Sequence, residues 1–339
     1  MPGGIEKGPL VYRERERAPL IAQAFLRSGA DVVGGCELFD EQLVGEMTTL
    51  LAERFPYHTA APFQRGIVDV EAAMNSRWWL RPVQWLLPPT DRLVDIYAKG
   101  HYGHHVSRLF SGLLTYIGGE DRFFAASHWM LGNPLCWGSG LSLWSRYPLS
   151  NTGFKSYGCG AGLERYADKG VLFADVAVPG AQPFKVLVTH LQEGVSSWQT
   201  VVRQRQVAHI KLLGGDLVLG DFNIDECQNH LGGRDGVSCG REPCEYQELF
   251  RTLGFTDAFR VIHPDSHLVQ GGTYIYGSHF ADKMGGEGDA RPPQGKIDYV
   301  LVNGGVRVAH AGIPEDLFLD VDRQPLADHR PLMADLEIR

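Results

Sequence analysis

Two stretches of this chain, RSGADVVGGCE at 27–37 and LLGGDLVLGDFN at 212–223, repeat one layout: the end of a helix, a glycine-marked break, a short apolar run and an acid. An apolar run of this length without alternation reads as a strand covered on both faces. A chain that builds this unit twice is constrained to α/β layers, each half bringing an acid to the same end of its sheet. The first helix is predicted over 14–28, with Leu20, Ile21, Ala24 and Phe25 on one face and Ser28-Gly29 as its stop. A second runs from Glu41 to Arg54 and a third from Val201 to Leu213. Further strands are predicted in LSLWSR, GVLFADVAV and FKVLVTH before Asp221, and in YVLVN, VRVAHAGI and LMADLEI after it.

Residues 56–135 have another character. They hold Trp78, Trp79, Trp85 and Trp129, the run HYGHH and an amphipathic stretch from Val106 to Ile117, a pattern that predicts a mostly helical cap. Glycine-rich loops at 232–240, 271–277 and 284–288 join the later pieces, and no linker composition divides the chain. The 339 residues are therefore read as one domain, 1–339, with 56–135 inserted in it.

Charge and cysteine usage narrow the function classes. Lys and Arg number 32 against 40 Asp and Glu, a net charge of −8, which disfavours a general nucleic-acid binder. Six cysteines, at 36, 136, 159, 227, 239 and 244, lack the paired spacing of a zinc site and read as free thiols; Cys239 and Cys244 could close one loop in an exported protein. No apolar stretch approaches the ~20 residues of a membrane span. MPGGIEKGPLVYRERER lacks the apolar core of a signal peptide, so a cytoplasmic protein, peripheral at membranes if at all, is expected.

Five segments place acids, amides or histidines beside predicted strands: CELFDE (36–41), VTHLQ (188–192), LGDFNID (219–225), KIDYVLV (296–302) and ADHRPL (327–332). In this order they resemble the signature blocks of the endonuclease/exonuclease/phosphatase superfamily, from about residue 14 to the end with the cap unmatched. The resemblance implies a four-layer α/β/β/α sandwich of two mixed sheets flanked by helices, and hydrolysis of a phosphate ester with Mg²⁺ or Mn²⁺. CWGSGLSLWSRYPL, ERYADKGVLFADVAVPG and VLVTHLQ are similar to the neutral sphingomyelinases, which implies cleavage of sphingomyelin to ceramide and phosphocholine. A nuclease, a phosphoinositide phosphatase and a non-catalytic member remain as alternatives.

The chemistry explains the residue types. A phosphodiester repels an incoming hydroxide, so a hard cation on oxygen ligands is expected to neutralise charge. Glu37, following the first strand, is the primary ligand candidate, and Asp221, Asn223, Asp328 and His329 complete the expected metal surroundings. Asp221 and Asn223, two apart on extended backbone, would point to one side, the acid toward metal or water and the amide donating to phosphate. His329 is the expected general base and Asp298 its orienting acid. By resemblance, His190 lies beside the scissile phosphate; Lys169 of the DKG segment either reaches a phosphate or is an exposed loop lysine. Trp78 and Trp79, flanked by Arg77 and Arg81, either dip into a lipid interface or pack the cap. The resemblance also implies an Asn-bearing strand ahead of the first helix. Residues 1–13 hold no Asn, so either the natural chain begins further upstream, or LVY substitutes, or another chain supplies the strand.

Overall fold

The structure is a computed structural model, and it describes residues 14–63, 138–194, 197–225, 245–264, 272–275 and 294–338, apart from 315, 322 and 324. Residues 1–13, the tryptophans of the expected cap and Cys136, Cys227, Cys239 and Cys244 lie outside these residues.

The helix–strand unit forms twice, as its repeat implied. Helix α1 (Glu14–Arg27) stops where the Ser28 amide bonds the Ala24 carbonyl and Gly29 turns left-handed at φ 76°, leading into β1 (Val32–Gly35). Helix α2 (Glu41–Leu51) follows, capped by the Asp40 carboxylate, which accepts from the Gln42 and Leu43 amides at 2.8 and 3.3 Å. In the second copy α3 (Ser197–Leu213) ends at Gly214, φ 59°, and feeds β7 (Leu217–Asp221).

Strand β1 pairs with β3 (Ser142–Ser145), which pairs with β2 (Tyr57–Ala60), all antiparallel. Tyr57–Ala60 belong to this sheet because their backbone pairs residue for residue with β3, and the rest of the expected insertion lies outside the described residues. Among the described residues β1 is an edge of its sheet rather than a central strand.

The second sheet is larger and mixed. It comprises β4 (Leu149–Ser156), β5 (Gly170–Val176), β6 (Phe184–His190), β7, β11 (Asp298–Val302) and β8 (Thr256–Asp257), in that order, with β6 and β7 parallel. Two ladders complete the strands: β9 (Tyr274–Ile275) with β10 (Gln294–Gly295), and β12 (Val306–Gly312) with β13 (Met333–Ile338). Helix α4 (Glu245–Leu253) and the short α5 (Ala258–Ile262), neither of which was anticipated, flank β8.

Three hydrophobic clusters correspond to three interfaces between four layers. One lies between α1, α2 and the first sheet and is built on Ala22, Val44, Met47, Leu51 and Trp144. The next lies between the sheets, where Leu141 and Leu143 meet Leu172, Val186, Val188 and Val300. The third packs Val207, Ile210, Leu249 and Leu253 of α3 and α4 against Leu187, Val218 and Leu301 of the large sheet. This is the expected α/β/β/α sandwich, and its middle layers explain why the strands read as continuous apolar runs. No helix among the described residues is long and apolar enough to cross a membrane.

Two glycines test how tightly sequence is bound to this packing. Gly220, immediately before Asp221, adopts φ 143°, and a Cβ there would lie 1.8 Å from the Thr189 carbonyl oxygen on the paired strand. Gly45 is an exposed residue inside α2 with nothing within 4 Å of a built Cβ. Gly220→Ala should therefore lower stability by more than about 2 kcal/mol, whereas Gly45→Ala should raise it by about 0.5–1 kcal/mol. Denaturant midpoints at unchanged slope check both; equal effects would contradict the register given for β6 and β7.

Candidate active site

Strand register places three of the expected residues in one row. His190 on β6 stands opposite Asp221 on β7, and Asp221 stands opposite Asp298 on β11. Because β11 runs antiparallel to β7, Asp298 reaches this end of the sheet as the first residue of its strand. His329 arrives from the loop between β12 and β13, and its Nδ1 bonds the Asp298 carboxylate at 2.8 Å. Its Nε2 faces the Asp221 carboxylate at 4.0 Å, and His190 Nε2 lies 3.5 Å from the same oxygen.

Asn223 joins this group by a route other than strand alternation. The strand ends at Asp221, and the Asp221 carboxylate accepts the Asn223 amide at 2.7 Å, turning Asn223 left-handed at φ 50°. Its side-chain N–H groups reach the Leu191 carbonyl and His190 Nε2, each at 3.1 Å. Both amide hydrogens are thus engaged within the protein, and the amide oxygen remains for a cation or water. The expectation that this amide donates to phosphate is revised accordingly. Since Nε2 accepts from Asn223, the proton of His190 belongs on Nδ1, a buried atom with no hydrogen-bond partner among the described residues. Burial, with Lys169 and His329 nearby, holds the His190 imidazole well below its ordinary value and therefore neutral.

Glu37 follows β1 in a left-handed conformation, φ 61°, costly for a residue with a long side chain. Gly140 makes the turn possible. Its carbonyl accepts the Leu38 amide at 2.9 Å, and a Cβ at that position would meet Leu38 N at 2.9 Å and Glu37 Cα at 3.0 Å. Glu37 is exposed, yet enclosure by protein and the charge of Asp328 raise its carboxyl to about 7, with His329 and Lys169 opposing. Exposure together with enclosure describes a residue on the wall of a cleft. Glu193, also exposed, is raised in the same way by enclosure and by Glu164.

Lys169 is buried at 6% exposure. Its ammonium bonds the Leu191 carbonyl at 2.7 Å and pairs with Glu164, so it acts on the cleft as a fixed positive charge rather than as a free loop lysine.

The acids crowd one another. Asp221 rises to about 8 through burial and the charge of Asp298. Burial works against a charged His329, but Asp298, its hydrogen bond, Asp221 and Asp328 outweigh that and hold the imidazole well above its usual value. Ligand atoms of Asp221, Asp298 and His329 lie within 4.8 Å of one another. Hard oxygens at mutually repelling distances, together with an imidazole, suit a divalent cation. Glu37 stands outside that trio and is coupled to it through Asp328 and His329.

A buried network supports the loop after His190. Arg203 is fully buried, binds both carboxylate oxygens of Glu245 at 2.5 and 2.8 Å, and donates to the carbonyls of Gln192 and Gly194 at 2.9 and 2.5 Å. Gln206 accepts the Gln192 amide at 2.8 Å, and Gln192 accepts the Ala161 amide at 2.7 Å. The sequence held a signal for this network: Arg203 and Gln206 fall on the same helical stripe as Val207 and Ile210, a place where polar residues need partners. Thr273 was read only as part of a glycine-rich loop, yet it is fully buried and accepts the Ile297 and Asp298 amides at 3.0 and 3.1 Å.

Comparison with known proteins addresses the fold. No protein-family model and no curated protein matches the sequence. Among solved structures, sphingomyelinase C from Streptomyces griseocarneus aligns over 96% of this chain and 92% of its own, at 16% identity and TM-score 0.53. An endonuclease/exonuclease/phosphatase family protein from Bacteroides thetaiotaomicron aligns over 96% and 90%, at 14% identity and TM-score 0.54. A mutant beta toxin from Staphylococcus aureus with bound magnesium ions aligns over 96% and 92%, also at 14% and 0.54. The chain thus shares the sandwich fold of these proteins.

The raised carboxyls have a measurable consequence. Folded Glu37 and Asp221 keep protons that the unfolded chain has lost above its ordinary carboxyl values of 4.5 and 3.8. Their contribution to stability is therefore complete below those values and is lost as pH rises toward about 7 and about 8. The raised His329 acts in the same sense, while the depressed His190 acts oppositely only below its ordinary 6.5. Metal-free protein should melt at lower temperature at about pH 8 than at about pH 7. Mg²⁺ or Mn²⁺ should raise the melting temperature more at the higher pH, and Asp221→Asn should flatten the dependence. A metal-free melting temperature that rises across this interval would contradict the cluster as described.

Proposed function

We propose that this chain is a metal-dependent phosphodiesterase of the phospholipase C type, acting on sphingomyelin or a closely related lipid. The observation that carries the reading is the 2.8 Å bond from His329 Nδ1 to Asp298, with His329 Nε2 facing Asp221 across 4.0 Å. A gap of that size lets one water be held by both groups. His329, freed of its proton once a cation offsets the acids that hold it charged, would take the proton of that water, and Asp298 keeps the imidazole oriented and stabilises the charged form that results. Asn223 holds His190 and the Leu191 backbone in place, and His190 would meet the developing charge or the leaving oxygen only with a proton on Nε2, the nitrogen that Asn223 occupies at rest. Lys169 adds a fixed positive charge to the cleft, and Asp328 supports the site beside Glu37. A Mg²⁺ or Mn²⁺ ion held by Glu37, Asp221, the Asn223 oxygen and Asp328 would neutralise the phosphate charge and stabilise the charged forms of Glu37 and Asp221, which burial and neighbouring acids now disfavour.

The choice of lipid rests on three supports. The G-x-GL, KGV and THLQ segments are those of the sphingomyelinase pattern, the chain carries a net charge of −8, and a solved sphingomyelinase C shares the fold along nearly its whole length. Gly140 of the first segment has a physical task here, since it lets the chain pass behind Glu37. A role for Trp78 and Trp79 at a lipid surface belongs to residues outside those described.

Hydrolysis of sphingomyelin vesicles should require Mg²⁺ or Mn²⁺ and vanish in EDTA. His329→Ala should lower turnover by ~100-fold or more and Asp298→Asn nearly as much, with the double variant far from additive. Additive losses would dissolve the pair, and rapid cleavage of plasmid DNA with inert vesicles would replace the lipid reading by a nuclease.

A further inference from the structure

We infer that Thr273 is the positioning residue that sets the distance between His329 and Asp298. The inference rests on the catalytic reading of that pair. The two partners lie 31 residues apart and come from elements that share no ladder: Asp298 opens β11 in the six-stranded sheet, and His329 sits in the loop between β12 and β13. A 2.8 Å bond between them therefore needs a third part that holds both.

Thr273 touches both sides at once. Its Oγ1 accepts the amides of Ile297 and of Asp298 itself, at 3.0 and 3.1 Å, fixing the residue at which β11 begins. Its carbonyl accepts the Arg330 amide at 2.6 Å, one residue beyond His329. The adjoining Tyr274 makes an antiparallel bridge to His329, and its ring meets the imidazole edge-on at 5.1 Å between centroids. One fully buried residue thus fixes the acid through its side chain and the base through its main chain. Threonine suits the place because its β-branch restricts χ1 and so aims the hydroxyl oxygen. Removing that oxygen takes the acceptor from the Ile297 and Asp298 N–H groups, so the start of β11, and Asp298 with it, loses a restraint.

Thr273→Ser keeps the oxygen, whereas Thr273→Val keeps the shape and loses it. Thr273→Val should lower kcat on sphingomyelin vesicles by ~10- to 100-fold with KM little changed, since a displacement of about 1 Å between reacting groups has that effect. Thr273→Ser should stay within about threefold of the parent, the hydroxyl acceptor being retained. In a His329→Ala background Thr273→Val should change kcat no further, because there is no pair left to position. A second readout needs no turnover: the Nδ1 proton of His329, seen downfield by NMR while Asp298 holds it, should move upfield or be lost in Thr273→Val and persist in Thr273→Ser. Should the valine variant not fold, Thr273→Ala, which leaves room for a water, takes its place in the same comparisons. Retention of kcat and of the ring proton in Thr273→Val, or losses that multiply with His329→Ala, would overturn the inference. If the ring proton responds as expected while the parent protein hydrolyses no phosphodiester, the positioning role stands and the catalytic reading falls.

Discussion

His190, Asp221 and Asp298 stand side by side because β6, β7 and β11 pair in one register, and two of the three are acids drawn from water into one end of a sandwich. Adjacent strands lie about 4.8 Å apart, too close for two carboxylates to ionise freely where water is scarce. Burial, and after it this repulsion, raises Asp221, and the same negative field holds His329 in its charged form. What surrounds the row can be understood as a response to that charge: an imidazole bonded to one acid, a neutral amide beside the other, and a buried ammonium bound to the Leu191 carbonyl.

The arrangement is held by backbone as much as by side chains. Gly220 permits the close approach of β6 to β7, Gly140 permits the turn at Glu37, and Asn223 takes a left-handed conformation closed by Asp221. Strained or glycine-only positions next to chemistry are expected where the surrounding fold over-determines them, and here the sheets on either side do so. Arg203 and Gln206 extend the same logic into the helix layer, where buried polar groups are kept because each finds a partner in the loop that follows His190.

Much of this was legible in the chain. The repeated helix–strand–acid unit gave α1 with β1 and α3 with β7, and the uninterrupted apolar runs gave strands covered on both faces. Some elements escaped notice for definite reasons. Strand β2 reads Tyr-His-Thr-Ala, without an apolar run, and is a strand because β3 pairs with it. Strand β4, LSNTGFKS, is largely polar because it forms an edge of the large sheet and faces solvent over part of its length. Arg203 could be suspected from its place on an apolar helical stripe and Thr273 could not, and the partners of both lie far away in sequence.

By itself the sequence determined which residue types are available for chemistry and at which strand ends they fall, because hydrophobic period and glycine position are local properties. The resemblance of KID and ADHRPL to the superfamily's blocks, rather than any local period, is what suggested Asp298 and His329 as partners. Only the tertiary structure decided that Asp221 faces both His190 and Asp298, that the Asn223 amide hydrogens are already engaged, and that Lys169 is buried against Glu164. Each of these depends on strand register and on contacts across dozens of residues, which no local pattern encodes; a one-residue slip of β7 would turn Asp221 to the opposite face of its sheet while leaving the sequence signal unchanged.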